Sequence, residues 1–104
     1  MIKSASAKEL KQWLEAGEAI LVDVREADEW AQSHIKGATH IPLAQVSLDK
    51  MPAFAGKKLV MQCKAGGRSR AACGKLTNET SDLSVYNLEG GILSWIQAGY
   101  KVST

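Results

Sequence analysis

The sequence predicts an α/β fold, a doubly wound parallel sheet of about five strands with helices on both faces. Three observations carry this expectation. Helix and strand signals alternate along the whole chain. The runs Ala19-Ile20-Leu21-Val22 and Leu59-Val60-Met61-Gln62 are almost continuously apolar, the pattern of parallel strands covered on both faces. A length of 104 residues with a 45% hydrophobic share suits one compact domain that needs no disulfide staple. A single domain over residues 1–104 is therefore expected.

Each element has its own signal. Ser6 and Glu9 have the spacing of a capping box, and Leu10, Trp13 and Leu14 follow at helical spacing until Gly17 ends the helix. The first buried strand runs to Asp23. Glu26 to Gln32 reads as a short helix anchored by Trp30. Gly37 and Pro42 bracket a brief extended piece at Thr39-His40-Ile41, and Leu43 to Met51 is expected to be helical before Pro52 and Gly56 close the region. The second buried strand ends at Cys63, a tight loop covers Lys64 to Gly67, and Arg68 to Leu76 reads as helix. Leu83 to Leu88 predicts a third strand, broken by Gly90-Gly91. A last helix carries Ile92, Trp95 and Ile96 and ends at Gly99. Cys63 is thus placed at the carboxyl end of a strand and just before a helix, where ligands bind in open α/β sheets.

Composition excludes several classes. A net charge of +2 is too small to imply a nucleic-acid partner. No apolar run approaches the ~18 residues that span a bilayer, so no membrane association is expected. The opening Met1 to Ser6 lacks the apolar stretch of a secretory leader. Two cysteines are too few for a disulfide scaffold, which points to free thiols and a cytoplasmic setting.

The segment Cys63-Lys64-Ala65-Gly66-Gly67-Arg68-Ser69-Arg70 carries the chemistry. A thiol attacks as thiolate, and a free cysteine has a pKa of roughly 8.5. The loop offers three ways to lower it: backbone N–H groups converging in an anion nest, the positive end of the following helix, and the fixed charge of Arg68. Gly66 and Gly67 permit the wrapped backbone such a nest requires. A lone cysteine or a glycine pair usually means only packing or a turn; the combination, in this context, points to an activated nucleophile.

Several stretches together resemble the rhodanese family. Leu21-Val22-Asp23-Val24-Arg25-Glu26, followed by Glu29-Trp30, is similar to its first signature. His34-Ile35-Lys36-Gly37-Ala38 and Ile41-Pro42 are similar to the next. Cys63 to Ser69 resembles the active-site loop, and Leu88-Glu89-Gly90-Gly91, Trp95 and Gly99 resemble the closing motif. Ser33 stands where the family usually has glycine. The resemblance covers nearly the whole chain and implies a sulfurtransferase. In it Cys63 takes the outer sulfur of an anionic donor, thiosulfate or a persulfide, and holds it as a persulfide. A thiol, cyanide or a protein acceptor then removes the sulfur. Lys64, Ala65, Gly66, Gly67, Arg68 and Ser69 would bind the donor through their N–H groups, with Lys64, Arg68 and Arg70 attracting it by charge. No metal or organic cofactor is implied.

Other residues carry blander expectations. Asp23 and Arg25 could brace the loop as the family match suggests, but a structural ion pair is favoured, with Arg25 and Glu29 at i,i+4 spacing. His34 and His40 read as loop residues, Trp13, Trp30 and Trp95 as core anchors, and Cys73 as a buried, inert thiol. Two alternatives compete with the enzyme. One is a carrier or non-catalytic module that serves a protein partner. The other is a cysteine-dependent phosphatase, disfavoured because such loops are Cys-x5-Arg whereas Cys63 and Arg68 form Cys-x4-Arg, with Ser69 in the position that would need arginine.

Overall fold

The computed structural model describes residues 1–104. The chain forms β1 (Ile2–Ala5), α1 (Ala7–Glu15), β2 (Ala19–Asp23), α2 (Ala27–Gln32), β3 (Thr39–His40), β4 (Lys58–Gln62), α3 (Gly67–Glu79), β5 (Val85–Leu88) and α4 (Gly91–Gln97). The strands make one sheet in the order β1-β5-β4-β2-β3, with every pairing parallel. The expected five-stranded parallel sheet is therefore what the chain builds.

The apolar runs are continuous because successive side chains serve opposite faces. Val22, Leu59 and Met61 join Cys73 and Leu76 of α3 on one side. Leu21 and Val60 join Leu10 of α1 and Ile92 and Trp95 of α4 on the other. Helices thus cover both faces. Helix α3 buries Ser69, Ala72, Cys73 and Leu76, the 3–4 spacing of a single inward stripe. Helix α1 starts on the predicted capping box, with Ser6 Oγ accepting from Glu9 N at 3.1 Å and Glu9 Oε1 accepting from Ser6 N at 2.9 Å.

Two local expectations are corrected, and one strand carried no signal in the sequence. Ile2–Ala5 is an edge strand, paired with β5. Leu43–Met51 is not a continuous helix. It forms two 3-10 turns, Leu43–Gln45 and Leu48–Lys50, separated by extended Val46 and Ser47. The extended backbone drops Val46 into the core, where it is buried. Of the three tryptophans only Trp95 is fully buried, while Trp13 and Trp30 stay half-buried. The departure at Ser33 costs nothing in the backbone: its φ is −170°, extended geometry that any residue adopts.

The sheet order positions the site. From β2 the chain leads outward to β3, and from β4 it leads the other way to β5. Neighbouring strands whose connections diverge open a crevice at their carboxyl ends. Asp23 and Gln62 are register partners at that end, so Val24-Arg25 and Cys63 emerge side by side.

Candidate active site

Cys63 follows Gln62 at the end of β4, and its loop closes at Gly66, directly before α3. Gly66 has φ +115°, a left-handed conformation that turns the chain back over the sulfur. Its N–H donates to Cys63 Sγ at 3.1 Å, and the Ser69 hydroxyl lies 3.3 Å from the same sulfur. Burial pushes the thiol up. Hydrogen bonds from the Ser69 hydroxyl and from the N–H groups of Ser69, Gly66 and Ala65 outweigh it, and Cys63 titrates below an ordinary thiol. The N-terminus of the 13-residue α3 adds its positive end at the same place. Cys63 is only 2% exposed, because its own ring of donors closes over it.

Residues far away in sequence hold the loop. The Asn87 amide donates to the Gly66 carbonyl at 3.1 Å, and its Oδ1 lies 2.5 Å from Ser69 Oγ. Gln62 Nε2 and Ile92 N both donate to the Cys63 carbonyl at 2.9 Å, and Leu93 N donates to that of Lys64 at 3.2 Å. Gln62 Oε1 is buried without a partner. Gly91 makes this approach possible. It has φ +59°, and a Cβ there would stand 2.3 Å from the Lys64 carbonyl oxygen. Asn87, Gln62 and the side-chain role of Ser69 were not singled out by sequence. Each lies in an otherwise ordinary strand end or helix turn.

The charged residues pair differently from expectation. Arg25 does not meet Glu29. It folds back on Asp23, with Nη2 2.8 Å from Oδ2, and this pair is buried. Arg25 Nη2 also donates to the Ser33 carbonyl at 2.7 Å, fixing the end of α2. Glu29 instead grips Arg68 through two hydrogen bonds of 2.7 and 2.9 Å. That bidentate bond holds the Glu29 carboxyl down at about 2 against the opposing effect of burial. The charge of Arg68 is therefore balanced, whereas Lys64 and Arg70 are exposed and without an ion pair. Lys64, Ala65 and Gly67 face solvent at the mouth, and Ser69 is buried beneath it. Cys73 is fully buried, and burial pushes its thiol up to about 12.

His34 and His40 are structural. Both rings stack on Trp30, at 3.8 and 5.0 Å between centroids, and they bond the carbonyls of Trp30 and Arg25 respectively.

The fold and this loop define a parallel α/β domain built around a single cysteine at the sheet's switch point. Residues 6–98 match the rhodanese-like domain model, and the chain belongs to the rhodanese family. It is 34% identical over 95 residues to YtwF of Bacillus subtilis, a sulfurtransferase by name, covering 90% of each chain. A rhodanese-related protein from Thermoplasma volcanium superimposes with a TM-score of 0.77 at 31% identity, covering 97% of each chain. Other relatives are longer. The chain spans 51% of an uncharacterized Synechocystis protein, at 37% identity over 92 residues. It spans 23% of the Mycobacterium tuberculosis adenylyltransferase/sulfurtransferase MoeZ, at 36% identity.

Proposed function

We propose that the protein is a sulfurtransferase that moves a sulfane sulfur from thiosulfate or a persulfide donor to a thiophilic acceptor through a persulfide on Cys63. The observation that carries this is the ring of donors around a thiol lowered below its ordinary value. Such a ring stabilises an anionic sulfur as an oxyanion hole stabilises oxygen. Family membership and relatives named sulfurtransferases support the same reading.

The Cys63 thiolate attacks the outer sulfur of thiosulfate. A new S–S bond forms, the bond to the sulfonate sulfur breaks, and sulfite leaves with the electron pair. The outer sulfur then carries the negative charge and lies among the N–H groups of the loop from Lys64 to Ser69. Lys64 at the mouth and Arg70 in the first turn of α3, both exposed and without an ion pair, attract the dianionic donor. Arg68, already engaged by Glu29, fixes the loop against α2. An acceptor nucleophile finally takes the outer sulfur and returns the electron pair to Cys63. With two free thiols and no helix long enough to cross a membrane, a reducing cytoplasmic setting fits this cycle.

Sulfite release tests it. Thiosulfate and cyanide should yield sulfite and thiocyanate in equal amounts with the native chain, and none above background with Cys63→Ser. Turnover by Cys63→Ser at the native rate would refute the assignment.

A further inference from the structure

Helix α4 carries an apolar pair beside the cysteine loop. Leu93 is 43% exposed and Ile96 46%, and apart from the terminal Met1 they are the exposed large hydrophobic residues of the chain. They stand three apart on one helical face. Isolated exposed apolar residues need no explanation. These two, however, border one cavity of about 180 Å³ together with Lys64 of the loop and Gln32 and Ser33 at the end of α2. Their helix is bonded directly to the loop, through Ile92 N to the Cys63 carbonyl and Leu93 N to the Lys64 carbonyl. The charges lining the cavity are not equivalent. Arg25 is neutralised by Asp23 and Glu29 by Arg68, so Lys64 is the one cation left unpaired there.

We infer that this cavity and the Leu93–Ile96 face form the docking site for a protein acceptor, one whose cysteine is flanked by an apolar side chain and a carboxylate. The inference rests on the sulfur-transfer reading above. The apolar flank would lie on Leu93 and Ile96, the carboxylate would meet Lys64, and the cysteine would enter over Cys63. A convex segment of a protein suits this entry, since Cys63 itself is 2% exposed and must be reached by a narrow tip. The acceptor thiolate attacks the outer sulfur of the Cys63 persulfide. A bond forms between the acceptor sulfur and that outer sulfur, the bond to Cys63 Sγ breaks, and the pair returns to Cys63 as thiolate. The acceptor leaves as a persulfide, with no net oxidation.

The test separates loading from delivery. The full chain is loaded with thiosulfate, freed of donor, and its persulfide confirmed by intact mass. Clearance is then timed with cyanide and with two synthetic peptides, acetyl-Leu-Glu-Cys-Gly amide and acetyl-Ser-Lys-Cys-Gly amide. The Leu-Glu peptide should clear the persulfide about fivefold faster or more, the scale expected from partly burying one apolar side chain. The double variant Leu93→Ser with Ile96→Ser should load normally, discharge to cyanide at the native rate, and lose most of the preference between peptides. Both side chains are exposed, so the substitutions leave the core intact. Equal clearance by the two peptides, or a preference unchanged in the double variant, would overturn the docking site. Failure to load any sulfur would instead overturn the sulfur-transfer reading, and this one with it.

Discussion

The Ser69 hydroxyl lies 3.3 Å from the sulfur of Cys63 and has a single proton to give. Asn87 Oδ1, at 2.5 Å, and the Gly66 carbonyl, at 3.2 Å, compete for it. When Cys63 is an anion, its charge draws that proton, since bonds to charged groups are about twice as strong as neutral ones. Ser69 is thus a positioning residue for the thiolate. Ser69→Ala should raise the Cys63 pKa and slow its alkylation near neutral pH about tenfold, from the loss of one hydrogen bond to a charged sulfur. A rate-against-pH profile checks this; an unshifted profile would show that the backbone N–H groups suffice.

The Glu29–Arg68 clamp has a defined pH window. The folded-state pKa of Glu29 is depressed to about 2, so the clamp's contribution to stability is complete above the ordinary carboxylate range. It is lost as pH falls through that range towards 2. Both side chains are partly exposed, at 38% for Arg68 and 25% for Glu29, which limits the contribution to about 1 kcal/mol. Denaturant midpoints of the native chain and Glu29→Gln should differ by a constant amount near neutrality and converge as the medium is acidified. A difference that grows on acidification would contradict the assignment.

The two cysteines should behave as opposites. Cys73 is fully buried and pushed up to about 12, whereas Cys63 is lowered. A small alkylating reagent near neutral pH should label Cys63 and leave Cys73 unmodified until the chain is unfolded. Peptide mapping reads the outcome, and comparable labelling of both in the folded protein would refute it.

Much of this was legible in the sequence where the signal was local. Strands β2 and β4 announced themselves by apolar runs, and the Cys63 loop by glycines between a strand and a helix. Strand β1 did not, because Lys3 and Ser4 are exposed at the sheet edge and its parallel partner lies more than 80 residues away. The choice of Asp23 by Arg25 and of Arg68 by Glu29 was equally hidden. Spacing along a helix suggested Arg25 with Glu29, but Arg25 lies before α2 begins and the crevice brings Arg68 to Glu29 from another strand end. Ser69 and Asn87 are 18 residues apart and meet only through the β4–β5 neighbourhood.

Gly91 should tolerate no side chain. The added Cβ of Gly91→Ala would fall 2.3 Å from the Lys64 carbonyl oxygen and 2.6 Å from that of Cys63, at a φ of +59° that favours glycine. Backbone cannot yield as a side chain can, so a loss of about 1–3 kcal/mol is expected. Thermal melting measures it. The Cys63 thiol should also lose part of its activation, because the displaced turn carries the N–H groups that hold the loop carbonyls.

The central claim is that Cys63 carries the sulfur, and intact mass after mixing with thiosulfate tests it most directly. The native chain should gain one sulfur atom that maps to Cys63 and is removed by cyanide. Cys63→Ser should gain none, and Cys73→Ser should gain it as the native chain does. A native chain that takes up no sulfur from thiosulfate or from any persulfide donor, or an adduct that persists in Cys63→Ser, would contradict the account.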